Sequence, residues 1–397
     1  MNVKFSTKFV AASAAAVMAL SLAGCSGGSM DDSSSSGAKA SGDSITIGTV
    51  TTNSGTAAAY GEAEVKGFEL AVSEINAKGG INGKKVKLES MDDKGDATEA
   101  SNAYNKLAGD NNVLAVAGPT ISATTAAVAP LADQSKLVTI APAATSDSIE
   151  TGNYLFRTCF KDSYQGEVAA RFAAENLKVK KVAVLYGTGD PYSSGVGKAF
   201  VAAAKQAGLQ VVAEENSSST DDTEYSSQLQ KIEASGAEFL YAPYYYSAVG
   251  PYIVPQARSV GYDGYIMGPD GYDGLKTTGN KARYDKVLYT THYSPDDKSN
   301  KKVQRFITSY KAANNGESPN TFTALGYDSV YMFKQAIEQA GEHATRTDIR
   351  NAIAGMNFSG VTGAFTLDKH GSPKKSVIVL EMKNGSPTYK DTIQPAE

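Results

Sequence analysis

From Ser44 onward the chain alternates short β-type runs with amphipathic helical stretches, a pattern that restricts it to parallel sheets whose strands are joined through helices. Residues 45–50 are a strand candidate. Val65, Phe68, Val72 and Ile75 then recur at helical spacing until Gly79-Gly80 stops the helix. Residues 85–88 and the unbroken apolar run 113–117 read as further strands, and Asp96 is placed to cap a helix reaching Leu107. A helix at 122–134, a strand at 137–140, a helix at 165–176, a strand at 181–186 and a helix at 194–207 continue the series. Strands at 211–213, 239–242 and 265–267 follow, with helices at 225–234 and 253–260 between them. Two such series, parting near 157–165, predict an α/β protein with two doubly wound lobes. Three later helices, 301–313, 321–340 and 347–354, precede a return to strand over 361–382; they either form a third domain or cross back to complete the first lobe. Crossing back makes a hinge and a cleft. Ligands of open α/β sheets bind at the carboxyl ends of the strands, so two facing lobes form a clamp.

The 397 residues suffice for two cores of ordinary size, at roughly 100–200 residues per domain. A hydrophobic fraction of 41% is too high for a disordered chain, and 38 Lys+Arg against 42 Asp+Glu lack the basic excess of a nucleic-acid binder. A mean hydropathy of -0.28 argues against a multi-span membrane protein. Catalytic signatures are missing: His292, His343 and His370 are scattered, and no G-x-S-x-G elbow, H-E-x-x-H or Walker loop occurs. Gly187-Thr188-Gly189 follows a strand without the third glycine of a dinucleotide fingerprint. The S-x-x-K matches at Ser36 and Ser372 fall in a linker and a turn. Asp92-Asp93-Lys94-Gly95-Asp96 fails EF-hand spacing and reads as a solvated loop plus a helix cap. The expectation is therefore a binding protein without enzymatic activity, cofactor or metal.

The N-terminus has Lys4 and Lys8, an uncharged stretch over 9–22, and the ending Leu22-Ala23-Gly24-Cys25. A charged start, an apolar run short for a bilayer and small residues at its end predict a secretory signal peptide over 1–24. The ending resembles the bacterial lipoprotein box, which implies diacylation of Cys25 and, with 24 residues removed from 397, a mature chain of 373. Residues 26–43 are Ser, Gly, Asp, Ala and Lys with one Met, a flexible linker whose typical end-to-end distance is roughly 25 Å. The body is then held at the outer face of a bacterial cell membrane. Cys159, the other cysteine, has no partner once Cys25 is lipidated, and its apolar surroundings over 155–160 read as a buried strand with a structural thiol.

Several segments occur in a distinctive order. Ala59-Tyr60-Gly61 and Glu74-Ile75-Asn76-Ala77-Lys78-Gly79-Gly80-Ile81-Asn82-Gly83 come first, then Ala141-Pro142-Ala143-Ala144-Thr145. Phe156-Arg157 with Asp162 and Gln165-Gly166, Gly268-Pro269-Asp270-Gly271, and Ala324-Leu325-Gly326-Tyr327-Asp328 follow. Over nearly the whole body from Ser44 the chain resembles the branched-chain amino acid binding proteins of ABC importers. The resemblance implies a type I periplasmic binding fold, two Rossmann-like lobes joined by a three-crossover hinge and closing on a ligand. Lobe 1 is then expected over 44–163 plus 292–370, and lobe 2 over 164–291 plus 371–397.

Carried over residue by residue, the resemblance assigns Ser122, Ala143 and Thr145 to the ligand carboxylate. Asp270, where the family usually carries Glu, takes the ammonium group. Tyr60 and Phe322 become walls of the first lobe, and Tyr192 and Tyr245 walls of the second. The position of Ser122, at a helix start after a strand, suits a carboxylate because free N–H groups and the helix dipole both favour an anion. Asp273 lies close to Asp270, and Tyr241, Tyr244, Tyr245 and Tyr246 form a cluster in which any ring could face the cleft. Loop 92–95 has no Cys where some family members carry a disulfide. The implied function is capture of an amino acid, Leu, Ile or Val first, by hinge closure and its delivery to an ABC permease and ATPase complex. The protein is expected to act as a lipid-anchored monomer. The alternative is a sensor of the same fold for another small amino acid or amide.

Overall fold

In a computed structural model of the chain, residues 44–296 and 300–395 are described. The expected signal peptide, Cys25 and the linker to residue 43 lie outside the described residues.

Strands β1 (Ser44–Thr51), β2 (Lys85–Asp92), β3 (Val113–Ala117), β4 (Val138–Ala141) and β5 (Leu155–Arg157) form a parallel sheet in the order β2-β1-β3-β4-β5. Between them run α1 (Ala58–Ala77), α2 (Ala97–Gly109) and α3 (Ser122–Ser135). β3 and β4 are buried along their whole length, which is why they read as continuous apolar runs instead of alternating ones. Asp96 caps α2 as its position predicts, accepting from the Thr98 and Glu99 N–H groups at 2.8 and 3.0 Å.

After α4 (Asp162–Glu175) come β6 (Lys181–Gly187), β7 (Gln210–Ser217), β8 (Phe239–Tyr241), β9 (Tyr265–Gly268) and β10 (Val287–Thr291). Helices α5 (Pro191–Gln206), α6 (Ser226–Ala234), α7 (Tyr246–Ala248) and α8 (Val254–Ser259) connect them. The chain continues through α9 (Lys301–Ala313), α10 (Thr321–Ala340), α11 (Arg346–Ala354) and the hairpin β11 (Asn357–Gly360) and β12 (Gly363–Thr366). Finally β13 (Val377–Lys383) and β14 (Ser386–Ile393) join the second sheet antiparallel, giving the order β14-β13-β10-β9-β8-β6-β7.

Packing decides where the late helices belong. Val330, Phe333 and Ile337 of α10 and Ile349 and Ile353 of α11 share one buried cluster with Ile45, Ile47 and Phe68. They complete the first lobe, and the chain passes between the sheets at 158–161, in the segment that begins at 292, and at 367–376. Three features differ from the sequence reading. Central strand β10 and polar edge strand β14 have no counterpart in it. Cys159 is fully buried but lies just past β5, in the first crossover, where it faces the Ala144 carbonyl at 3.3 Å and burial pushes the thiol pKa up. Asp93 is not solvated: it is buried, accepts from Thr52 Oγ1 at 2.6 Å and from the Gly95 N–H at 2.9 Å, and so braces the loop between β1 and α1.

Helices α1 and α10 meet backbone to backbone, and this contact positions the residues at their N-terminal ends. A Cβ at Gly67 would collide with the Thr323 carbonyl oxygen, and one at Gly326 would come within 2.7 Å of the Glu64 carbonyl oxygen. Only glycine lets these helices approach so closely. Gly67→Ala should therefore lower the unfolding free energy by roughly 2 kcal/mol. Gly109→Ala, at an open position ending α2, should change it by less than about 0.5 kcal/mol. Denaturant titration of both variants measures the difference.

Candidate functional site

Each sheet reverses its winding at one strand: β1 lies between β2 and β3, and β6 between β7 and β8. At such switch points the connections diverge and open a crevice at the carboxyl ends. The segments leaving those ends carry Tyr60 after β1, Thr120, Ile121 and Ser122 after β3, Ala143 after β4, Tyr192 after β6, Tyr245 after β8, and Asp270 after β9. Together with Phe322 on α10 they line a single narrow cavity.

The first-lobe side offers hydrogen-bond donors. Ser122 is the first residue of α3, whose opening N–H groups have no intrahelical acceptors. Its Oγ accepts from the Ser146 N–H at 3.1 Å, so the hydroxyl proton is free to donate into the cavity. Thr120 Oγ1 donates to the buried carboxylate of Glu64 on α1 at 2.6 Å and accepts from the Thr52 N–H at 3.1 Å, which fixes the loop leading into α3. Burial raises the Glu64 pKa well above the usual carboxyl range.

The second-lobe side presents one acid. Asp270 Oδ1 accepts from Gln165 Nε2 at 3.2 Å and Tyr192 Oη at 3.1 Å, and Oδ2 lies 3.1 Å from His292 Nε2. Burial raises its pKa to about 6, against the lowering effect of the Gln165 and Tyr192 hydrogen bonds. Aromatic rings close the walls: Tyr192 stacks on Tyr245 with centroids 5.3 Å apart, and Tyr60 packs against Phe322 at 4.2 Å. The arrangement favours an anion on one lobe and a cation on the other, with apolar surface between them. A zwitterion with an aliphatic side chain satisfies all three.

The lobes are also joined directly. Tyr60 Oη, on the first lobe, donates to the Gly271 carbonyl at 2.5 Å and accepts from the Tyr246 N–H at 3.2 Å, both on the second. Asp273 Oδ2, just past β9, accepts from the Thr321 N–H at 3.0 Å at the start of α10. Burial lifts the Asp273 pKa to about 6.

Seven of the eight residues picked out for the ligand pocket line this cavity: Tyr60, Ser122, Ala143, Tyr192, Tyr245, Asp270 and Phe322. Thr145 does not; its Oγ1 is buried behind the wall, without a hydrogen-bond partner. The tyrosine cluster resolves by position. Tyr245 faces the cavity, Tyr246 sets its ring edge-on to Tyr60 at 5.0 Å, and Tyr241 and Tyr244 are buried within the second lobe. Asp270, not Asp273, is the acid at the cavity, because Asp273 is engaged by α10. Glu64 and His292 escaped the sequence reading. His292 follows β10 directly, and recognising that strand would have placed it at a carboxyl end like the other site residues. A larger groove on the outer face of the first lobe, lined by Glu74, Lys302, Arg305, Tyr327, Tyr331 and Phe358, gathers none of these residues.

Two doubly wound lobes with a small, polarised cavity at their seam define a closing-clamp binding protein. The chain belongs to the periplasmic binding protein family, which matches residues 44–387. It is 31% identical over 333 residues to Leu/Ile/Val-binding protein homolog 3 of Brucella melitensis, covering 82% of this chain and 88% of that protein. It is 29% identical over 336 residues to the leucine-, isoleucine-, valine-, threonine-, and alanine-binding protein of Pseudomonas aeruginosa, covering 84% and 88%. The solved structure of the leucine binding protein LivK of Thermotoga maritima is similar with a TM-score of 0.81 at 31% identity, covering 88% of this chain and 99% of that one. The branched-chain amino acid transporter substrate binding protein LivJ of Streptococcus pneumoniae, solved in complex with isoleucine, also scores 0.81, at 33% identity and covering 89% and 100%. The two-lobed type I fold expected from the sequence is the fold found.

Tyr60 is a direct test of the seam. Tyr60→Phe keeps the ring but removes both lobe-bridging hydrogen bonds, which should favour the open form by about 1–2 kcal/mol, a population change of roughly 5–30-fold. Fluorescence energy transfer between dyes on the two lobes should report a longer mean distance in the variant.

Proposed function

We propose that the protein captures an amino acid, with leucine, isoleucine or valine as the preferred ligands, and delivers it to an ABC permease and ATPase complex. The observation that carries this reading is the polarised cavity: the start of α3 and the Ser122 hydroxyl on one lobe, the Asp270 carboxylate on the other, and aromatic walls between them. The α-carboxylate goes to Ser122 and the backbone around Ala143, the ammonium to Asp270, and the aliphatic side chain to the faces of Tyr60, Tyr192, Tyr245 and Phe322. The ligand touches both lobes only when they meet, so its binding energy shifts the hinge toward the closed form. The names of the matched relatives agree with this chemistry.

We further propose that Cys25 carries the lipid anchor, that 26–43 is the tether, and that the body works as a monomer outside the cytoplasm. No helix among the described residues is long and apolar enough to cross a membrane. Cys25→Ala should move the protein from the membrane fraction into the medium or periplasm and abolish incorporation of labelled palmitate.

The ligand assignment is tested by thermal unfolding of the mature protein against the amino acids. Leucine at 100 times its dissociation constant adds about 2.7 kcal/mol of stability and should raise the melting temperature. A panel in which no amino acid raises it contradicts the proposal. With 22 Tyr and no Trp, intrinsic fluorescence would read tyrosine. Asp270→Asn should weaken leucine binding by about 1.5–3 kcal/mol, or roughly 10–150-fold. The ligand's ammonium needs the ionised acid, so affinity should be full above pH 7 and fall as the pH drops through the Asp270 midpoint of about 6.

A further inference from the structure

We propose that His292 is a positioning residue for the cleft: its Nε2–H holds Asp270 Oδ2, aims the carboxylate at the ligand's ammonium, and ties that contact to the hinge. The inference rests on the reading of the cavity as an amino-acid site. His292 lies in the second crossover, immediately after β10, and is buried. Its backbone N–H donates to Thr321 Oγ1 of the first lobe at 3.2 Å, while its ring meets Asp270 of the second at 3.1 Å. The ring lies flat on Phe160 of the first crossover, with centroids 3.6 Å apart and planes 26° apart. One side chain thus joins two of the three crossovers to the acid that faces the cavity.

The chemistry of the contact follows from counting donors. Burial drives the imidazole pKa well below its ordinary value, and the nearby Lys375 acts in the same direction. The ring is therefore neutral and has a single N–H. Its Nδ1 has no hydrogen-bond partner, so assigning the proton to Nε2 lets the ring donate to the carboxylate. Asp270 then receives three donors, from Gln165, Tyr192 and His292, while a carboxylate has about four acceptor positions. Gln165 is itself fixed, its Oε1 accepting from the Asp270 N–H and from Thr290 Oγ1, each at 3.0 Å. The other titratable groups acting on Asp270 are Asp162 of α4, Tyr192 of α5, Tyr60 of α1, Tyr241 of β8, Asp273 after β9, Cys159 of the first crossover and Lys375 of the third. Burial keeps Tyr60, Tyr192, Tyr241 and Cys159 uncharged at neutral pH, so the main opponent of Asp270 ionisation is its own burial, and its hydrogen-bond donors support the charge.

The test compares full-length wild type, His292→Phe and His292→Gln. Phe keeps a flat ring against Phe160 but donates nothing; Gln restores an N–H donor. Leucine affinity is measured by calorimetry from pH 5 to 8, and the Asp270 carboxyl is followed by carbon NMR in the unliganded protein, with Asp270→Asn assigning its resonance. His292→Phe is expected to raise the midpoint of both profiles by about one pH unit, weakening binding about threefold at pH 6.5 and approaching tenfold at pH 5, whereas His292→Gln returns both toward wild type. An affinity loss equal at all pH values, or an unchanged NMR midpoint, would mean that His292 only packs the hinge and would overturn the proposal. If leucine and every other amino acid fail to bind wild type, the reading of the cavity falls, while the NMR midpoint still decides the role of His292. Should His292→Phe not fold, His292→Leu removes the same donor and is read in the same way.

Discussion

The acid at Asp270 is buried at the seam of two lobes, and a charge taken out of water must be met by hydrogen bonds or neutralised. Much of the site follows from that requirement. Gln165 from α4, Tyr192 from α5 and His292 from the second crossover converge on its two oxygens. Each belongs to a different element, so the carboxylate has a fixed direction only when the second lobe and the hinge are packed together. The opposite end of the cavity needs no buried cation. The start of α3 and the Ser122 hydroxyl supply donors for an anion at little desolvation cost.

The two ends are mounted on different lobes, and the connections between those lobes are not inert. The first and second crossovers touch through the stacked Phe160 and His292 rings, and the third brings buried Lys375 into the same neighbourhood. Lobe-to-lobe contacts at Tyr60 and Asp273 close the seam further. The close approach of α1 and α10, which glycine at 67 and 326 permits, holds Tyr60 and Phe322 in one wall. A residue with no access to a ligand can therefore still alter binding by changing how the lobes meet.

Most of the fold was legible because its parallel strands are short, apolar and separated by helices with clear periodicity; the limits expected for β3 and the spans expected for α9 and α10 match those observed. The pocket residues were legible through their order along the chain and their places after strands. What was hidden depends on tertiary context. β14 is a polar edge strand without a core-like pattern. Asp93 and Glu64 are acids buried by folding, and no local signal distinguishes them from exposed ones. Periodicity alone left the late helices open between a third domain and the first lobe, where the family resemblance put them and where their apolar faces pack against Ile45, Ile47 and Phe68. His292 looked like an isolated histidine because its partner is 22 positions away, across a strand the pattern did not reveal.

The central claim is that one zwitterion bridges the lobes, with its carboxylate at Ser122 and its ammonium at Asp270. A crystal structure of the protein with leucine measures this directly. The account predicts a ligand carboxylate oxygen within hydrogen-bonding distance of Ser122 Oγ and an ammonium nitrogen about 3 Å from Asp270. Leucine seated with its ammonium away from Asp270, or bound only in the outer groove beside Tyr327 and Tyr331, would contradict it.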